Sequence, residues 1–216
     1  MSGRVVLLDL DGTLSDSRPG IEACFRHALV ELGHDPAAAG DLTWAVGPPI
    51  AVSIRQLLAR FGDDRVDEGL AIYRARYSEV GIYNCSVYPG VTSMLDGLRD
   101  AGTVMCIATS KRRDFAERVM EFLGLRCYVR GVYGAVPGGG LDRKQDLLTH
   151  ILAVEHFAAA DCVMLGDRYH DIEAAKANAL HSIGALWGYG GRAELEQAGA
   201  DALAAAPGDV VSLAAG

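Results

Sequence analysis

Residues 5–17 read VVLLDLDGTLSDS: apolar enough for a sheet interior until two carboxylates, Asp9 and Asp11, arrive with Gly12 and Thr13 behind them. Side chains two apart on an extended segment share a side, so both acids can reach one site. A carboxylate there can attack phosphorus and form an aspartyl-phosphate, splitting one hard displacement into two easier ones. The acid two positions on suits protonation of a leaving alkoxide and later activation of water. Bringing a carboxylate and a phosphate together calls for a hard cation, and Mg²⁺, with its octahedral oxygen shell, is the expected cofactor. Gly12 permits close approach of the backbone to the ligand. Taken alone, DLDGT is an ordinary strand and turn; the remaining polar residues decide between the two readings.

Those residues also follow apolar runs. TVMCIATS, residues 103–110, ends on Thr109 and Ser110, with Lys111 next; DCVMLGD, residues 161–167, ends on Asp167, with Asp171 four positions later; Lys144 opens the helical pattern between them. The runs at 5–10, 103–110 and 161–167, with SIGALWG at 182–188 as a continuation, are short and lack polar alternation, as strands buried on both faces do. Helical patterns separate them: VTSMLDGLRDAG ending on Gly102, RRDFAERVMEFLGL, KQDLLTHILAVEHF and DIEAAKANAL. Strand–helix alternation of this kind indicates an α/β fold with a parallel central sheet. Ligands in such sheets bind beyond the carboxyl ends of the strands, where each run delivers its polar residues. Carboxylates for a cation, hydroxyls with a helix N-terminus for an oxyanion, and a lysine would converge there.

One interval breaks the rhythm. About seventy residues separate the first run from YPGVTSMLDGL, far beyond a normal βα connection of roughly 2–6 residues. Helical patterns around 18–33, 49–61 and 65–80, broken at GHDP and VGPP, make this a small α-helical insertion, residues 15–86, placed over the two acids. The core is then 1–14 and 87–216. The alanine-rich tail from Ala198 to Gly216 reads as helix followed by a terminal strand or frayed end.

Composition bounds the function. The 216 residues are half hydrophobic with a formal net charge of −8, room for a substantial core and a poor match to nucleic acid or an anionic membrane. A small anionic substrate remains compatible, because a metal and a few local donors reverse the sign of a pocket. Five cysteines without a CxxC pair read as reduced thiols, the start shows no signal-peptide pattern, and no apolar run matches a membrane span, so a cytoplasmic protein is expected. The six histidines show no metal-ligand spacing, and only His170 falls near the site. Arg55, Arg74 and Arg76 read as solvated residues of the insertion, one of which could reach a substrate carboxylate, and WGYG at 187–190 as a strand end and turn beside the cleft.

Taken in order, DLDGTLSDS, ATSKRRDFA, the lysine of LDRKQDLL and MLGDRYHDIEAAKANAL resemble the four motifs of the haloacid dehalogenase superfamily of phosphatases. VGPPI, YRARYSEVGIYNCSVYPGV and SIGALWGYG are similar to phrases of its phosphoglycolate phosphatase-like branch. The resemblance spans nearly the whole chain and implies a Rossmann-like core with a helical cap acting as a substrate-specificity lid. It implies Asp9 as nucleophile and metal ligand, and Asp11 as general acid/base that also gives its backbone carbonyl to the metal. Thr109 and the Ser110 amide would hold the phosphoryl group, with Gly12 close by, and Lys144 would neutralise its charge. Asp167 would bind Mg²⁺, and Asp171 would act through water or orient Lys144. Ser110 departs from the branch's usual asparagine; the shorter side chain removes one contact and leaves the backbone donor.

The expected activity is hydrolysis of a small phosphorylated metabolite, phosphoglycolate-like, by a monomer or homodimer. Alternatives are a 5'-nucleotidase acting on nucleoside monophosphates and a β-phosphoglucomutase-like phosphomutase. The mutase group typically has valine where Thr13 stands. A phosphoacceptor signalling module also carries acids, a hydroxyl and a lysine at strand ends, but the long insertion and Asp11 speak against it.

Overall fold

The computed structural model describes residues 4–136 and 141–215; the expected core bounds at residues 1–3, 137–140 and 216 lie outside them. Strand β1 (Val5–Leu8) is buried throughout, and its alternation divides the core in two. Val6 and Leu8 enter one apolar cluster and Val5 and Leu7 another, on opposite faces of the sheet. A strand covered on both sides has no use for polar alternation, which is why this stretch is uniformly greasy.

After β1 the chain makes a two-residue strand β2 (Ser15–Asp16), then α1 (Arg18–Glu31), α2 (Ile50–Ala59) and α3 (Val66–Glu79), and returns through β3 (Ser86–Val87). Strands β2 and β3 pair antiparallel, so the inserted helices leave and re-enter the core through one narrow ribbon. Helix α1 starts with Pro19 in its first turn, where the missing N–H costs nothing. It buries Ile21, Cys24, Phe25, Ala28 and Leu29, one face of a 3.6-residue period.

The core continues with α4 (Val91–Asp100), β4 (Val104–Arg112), α5 (Arg113–Phe122), β5 (Gly131–Ala135), α6 (Lys144–Glu155), β6 (Cys162–Gly166), α7 (Tyr169–Ala177) and β7 (His181–Ala185). Helix α8 (Arg192–Ala198), β8 (Ala202–Ala204) and α9 (Asp209–Leu213) complete it. The described residues form one six-stranded parallel sheet in the order β5-β4-β1-β6-β7-β8. Chain order runs outward on one side of β1 and then crosses to the other, so the carboxyl ends of β4, β1 and β6 are neighbours at the switch point. Helices α4 and α5 cover one face and α6 and α7 the other. In α6 the buried positions Lys144, Leu147, Leu148 and Ile151 follow i, i+3, i+4, i+7, which places the lysine on the core-facing stripe.

Three expectations change. The tail reverses its expected order, with strand β8 preceding helix α9. Alanine favours helix by intrinsic propensity, but pairing of Ala202–Ala204 along the edge of β7 overrides it. Strand β5, GVYGA, went unread because two of its five residues are glycine. Strand β4 continues through Arg112 instead of ending at Ser110, with a register irregularity against β5 between Thr109 and Arg112.

Candidate active site

Asp9 sits one residue beyond β1, where its backbone N–H donates to the Leu165 carbonyl of β6 at 2.9 Å. Its side chain is buried, and Lys144 Nζ donates to its Oδ1 at 2.7 Å. The same ammonium donates to the Ala108 carbonyl of β4 at 2.7 Å and pairs with Asp171 Oδ1 at 2.9 Å. One lysine from α6 therefore ties together the segment after β1, the middle of β4 and the first turn of α7. Burial alone would lower its pKa, but Asp171 and Asp9 more than offset that and hold it well above the ordinary value. Asp171 is fixed from its other side, where Oδ2 accepts the Arg168 N–H at 3.1 Å in the first turn of α7. Burial would raise the Asp171 pKa, and the Lys144 ammonium outweighs burial and keeps it below the ordinary carboxylate value. For Asp9 the balance goes the other way: burial, only partly countered by Lys144 and aided by Asp171, pushes the pKa up to about 6.

Asp167 lies at the end of β6 with no solvent exposure. Its Oδ1 accepts from Thr13 Oγ1 at 3.2 Å and its Oδ2 from the Tyr189 N–H at 2.8 Å. No Lys, Arg or His among the described residues pairs with it within ion-pair distance. Burial, then the neighbouring Asp9 and Asp171, pushes its pKa well above the carboxylate range. Asp9, Asp167 and Asp171 each offer an oxygen, all within 4.8 Å of one another. Three buried carboxylates against one ammonium leave the cluster short of positive charge, and every donor is a hard oxygen. The set therefore fits a divalent cation of the Mg²⁺ kind.

Gly12 turns the chain at φ +90°, and a Cβ there would fall 2.2 Å from Asp167 Oδ2. Only glycine lets the loop after Asp11 pass this close to the acid cluster. Gly188 presses in from the return after β7, where a Cβ would lie 2.3 Å from Asp167 Cβ.

Asp11 faces away from the cluster toward the inserted segment. Ser17 Oγ donates to its Oδ1, and Lys111 Nζ pairs with its Oδ2 at 2.6 Å. Lys111 also donates to the Tyr77 hydroxyl of α3 at 2.8 Å, so this ammonium joins the core acid to the insertion. Burial opposes its charge, and Asp11 and Tyr77 outweigh burial, raising the pKa well above the ordinary lysine value. Thr109 is buried on β4, with its Oγ1 accepting the Lys111 N–H at 3.3 Å; Ser110 is half-buried. Together with Asp11, Ser110 and Lys111 line a cavity of about 510 Å³ between core and insertion.

The site thus brings together Asp9, Gly12, Lys144, Asp167 and Asp171, with Asp11 and Ser110 on the side of the cavity and Thr109 buried on β4 beside Ser110. Sequence reasoning missed the fastenings around it. Arg168 donates to the Val46 carbonyl of the insertion at 2.7 Å and to Glu194 at 2.9 Å. The Tyr189 hydroxyl accepts from the Ser17 and Arg18 amides and donates to Asp16 at 2.9 Å, clasping the exit ribbon, while Trp187 Nε1 donates to the Thr13 carbonyl. WGYG had signalled only a turn beside the cleft, and the separation of about 170 residues between these partners leaves no local trace. His170 is half-buried beside the insertion's Gly47, with its Nε2 inaccessible and without a partner among the described residues.

The family model described as haloacid dehalogenase-like hydrolase matches residues 6–185, from β1 through β7. The chain belongs to the haloacid dehalogenase-like hydrolase family. This hydrolase-family chain is 38% identical over 190 residues to the tyrosine-protein kinase PtkA of Mycobacterium tuberculosis, covering 88% of its own length and 64% of that relative's. It therefore spans less than two thirds of that protein. It is 34% identical to a 5'-nucleotidase of Pseudomonas aeruginosa, covering 88% of this chain and 86% of the relative. With a phosphoglycolate phosphatase of Pseudomonas putida it shares 32% identity over 86% of this chain and 70% of the relative. Among solved structures, a predicted phosphatase from Clostridium acetobutylicum superposes with a TM-score of 0.89 at 29% identity, covering 98% and 97% of the two chains. No helix among the described residues of this family member is long and apolar enough to cross a membrane.

Proposed function

We propose that the chain is a Mg²⁺-dependent phosphomonoester hydrolase working through an aspartyl-phosphate on Asp9. The observation that carries the reading is the placement of Asp9: buried, oriented by Lys144, and ringed by Asp167 and Asp171, with a second acid two residues on beside an open cavity. Asp9, Asp167 and the Asp11 backbone carbonyl would hold the cation; when bound, it supplies charge neutralisation between carboxylate and phosphate.

The chain's own residues then do the following. Asp9 attacks phosphorus, and the phosphoryl oxygens take the Thr109 hydroxyl, the Ser110 amide and the Lys144 ammonium as donors. Lys144 holds its charge throughout, because Asp171 stays paired to it when Asp9 is phosphorylated. Asp11 protonates the leaving oxygen, takes a proton from the incoming water, and is kept in position by Ser17 and Lys111. Gly12 keeps the loop low enough for a phosphoryl group to fit above the acids. We read residues 15–86 as the lid, fastened at its ribbon, at Tyr77 and at Val46, which shields the acyl phosphate from bulk water.

The substrate is proposed to be a small phosphorylated metabolite. The sequence resemblance and the relative named phosphoglycolate phosphatase support a phosphoglycolate-like ester, and the relative named 5'-nucleotidase supports nucleoside monophosphates. A cytoplasmic location and a monomer or homodimer are part of the same proposal. Phosphate release from a panel of phosphometabolites with Mg²⁺ tests the activity. Asp9→Asn should abolish it, because a carboxamide is a poor nucleophile; retention of a tenth of wild-type turnover refutes the assignment.

A further inference from the structure

The cavity above the acids chooses the leaving group, and its walls carry chemistry that the catalytic residues do not use. Asp11, the proposed proton donor to the leaving oxygen, lies at its edge, so whatever departs from the phosphoryl group occupies this space. At about 510 Å³ the space lies within the ~300–1,000 Å³ range of sites that enclose a whole organic ligand. A two-carbon acid would leave most of it to water, the opposite of what a lid over an acyl phosphate accomplishes.

Three aromatic side chains line it. Tyr73 and Tyr77 of α3 stack with ring centres 5.7 Å apart and planes 6° apart, and Phe115 of α5 meets Tyr77 edge-on at 5.3 Å. Pro48, Pro49 and Ile50, entering α2, supply further apolar wall. Hydroxylated carbon chains gain little from such walls, whereas a flat heteroaromatic ring gains contact area and favourable ring geometry. Arg74 lines the same cavity with no ion pair and no hydrogen bond among the described residues, leaving its donors for acceptor atoms of a ligand. An unpaired arginine would suit the carboxylate of phosphoglycolate equally well; the ring wall and the volume would not.

We infer that the cavity is built for the nucleoside part of a nucleoside 5'-monophosphate, with the base against Tyr77 and Phe115. The inference rests on the phosphomonoester hydrolase reading and narrows its substrate class. Measuring kcat/KM with Mg²⁺ for AMP, UMP, ribose 5-phosphate, phosphoglycolate and O-phosphotyrosine tests it, because ribose 5-phosphate offers the same ester and sugar without a base. The nucleotides should exceed ribose 5-phosphate and phosphoglycolate by about tenfold or more. Phe115→Leu, which keeps apolar bulk and removes the ring, should narrow the nucleotide-to-ribose-5-phosphate ratio severalfold; Ile50→Ala, on another element, should do likewise if the first variant fails to fold. A ratio near one, or phosphoglycolate or phosphotyrosine turned over faster than either nucleotide, overturns the nucleoside assignment and leaves the hydrolase reading standing. No release from any of the five esters overturns both.

Discussion

Asp167 concentrates the electrostatics of the site in one residue. It is fully buried, accepts two hydrogen bonds and has no basic partner among the described residues, while two more carboxylates stand close by. A buried charge left in that state costs several kcal/mol unless a cation joins it. Two effects should follow in thermal unfolding. Mg²⁺ at about a hundred times its dissociation constant should stabilise the wild type by about 2.7 kcal/mol. Asp167→Asn without metal should be at least as stable as the wild type and gain little from Mg²⁺. A wild type indifferent to Mg²⁺, or a variant stabilised as much as the wild type, contradicts the metal reading. At this scale the sequence was informative, because carboxylates after apolar runs are conspicuous: Asp9, Asp11, Asp167 and Asp171 could be named before any coordinates. Ser17 and Tyr189 could not, since serines and tyrosines are common and what distinguishes these two is only where distant segments return to the acids.

Elements explain why the acids hold position. β1 is central in the sheet, and its four residues feed both clusters, so its placement depends on side-chain packing on each face. Leu7 is fully buried against the face covered by α6 and α7. Leu7→Ala should cost about 2–5 kcal/mol of unfolding free energy, measured by denaturant titration, because its neighbours in a close-packed layer relax only partly into the space. A loss below ~1 kcal/mol would mean the strand is less tightly held than its burial indicates. The same packing explains what sequence patterns revealed. Strands covered on both faces become unbroken apolar runs, and β1, β4, β6 and β7 were all readable. β5 and β8, built from glycine, alanine and a few larger residues, take their form from pairing with β4 and β7, information that sits in the partner strands and not in their own residues.

Across the whole molecule, the insertion and the core are fastened at separate points, among them the Arg118 guanidinium to the Ser78 carbonyl and the Arg168 guanidinium to the Val46 carbonyl. Arg168→Ala should loosen the 46–50 loop, seen as faster hydrogen exchange of its amides, and raise KM more than it lowers kcat if the insertion acts as a lid. Unchanged exchange there would mean the loop is held by its prolines and apolar neighbours alone. The insertion was visible in the sequence as an interval too long for a connection, but its fastenings were not, since each joins residues far apart in the chain. All of this arrangement serves one proposed event, transfer of a phosphoryl group to Asp9. Rapid acid quench of the Mg²⁺-loaded protein during turnover of a phosphomonoester, followed by peptide mass analysis, tests it most directly. The account predicts a phosphoryl group on the peptide containing Asp9, labile to hydroxylamine and absent in Asp9→Asn; turnover with no covalent phosphoryl group, or with one on another residue, would contradict it.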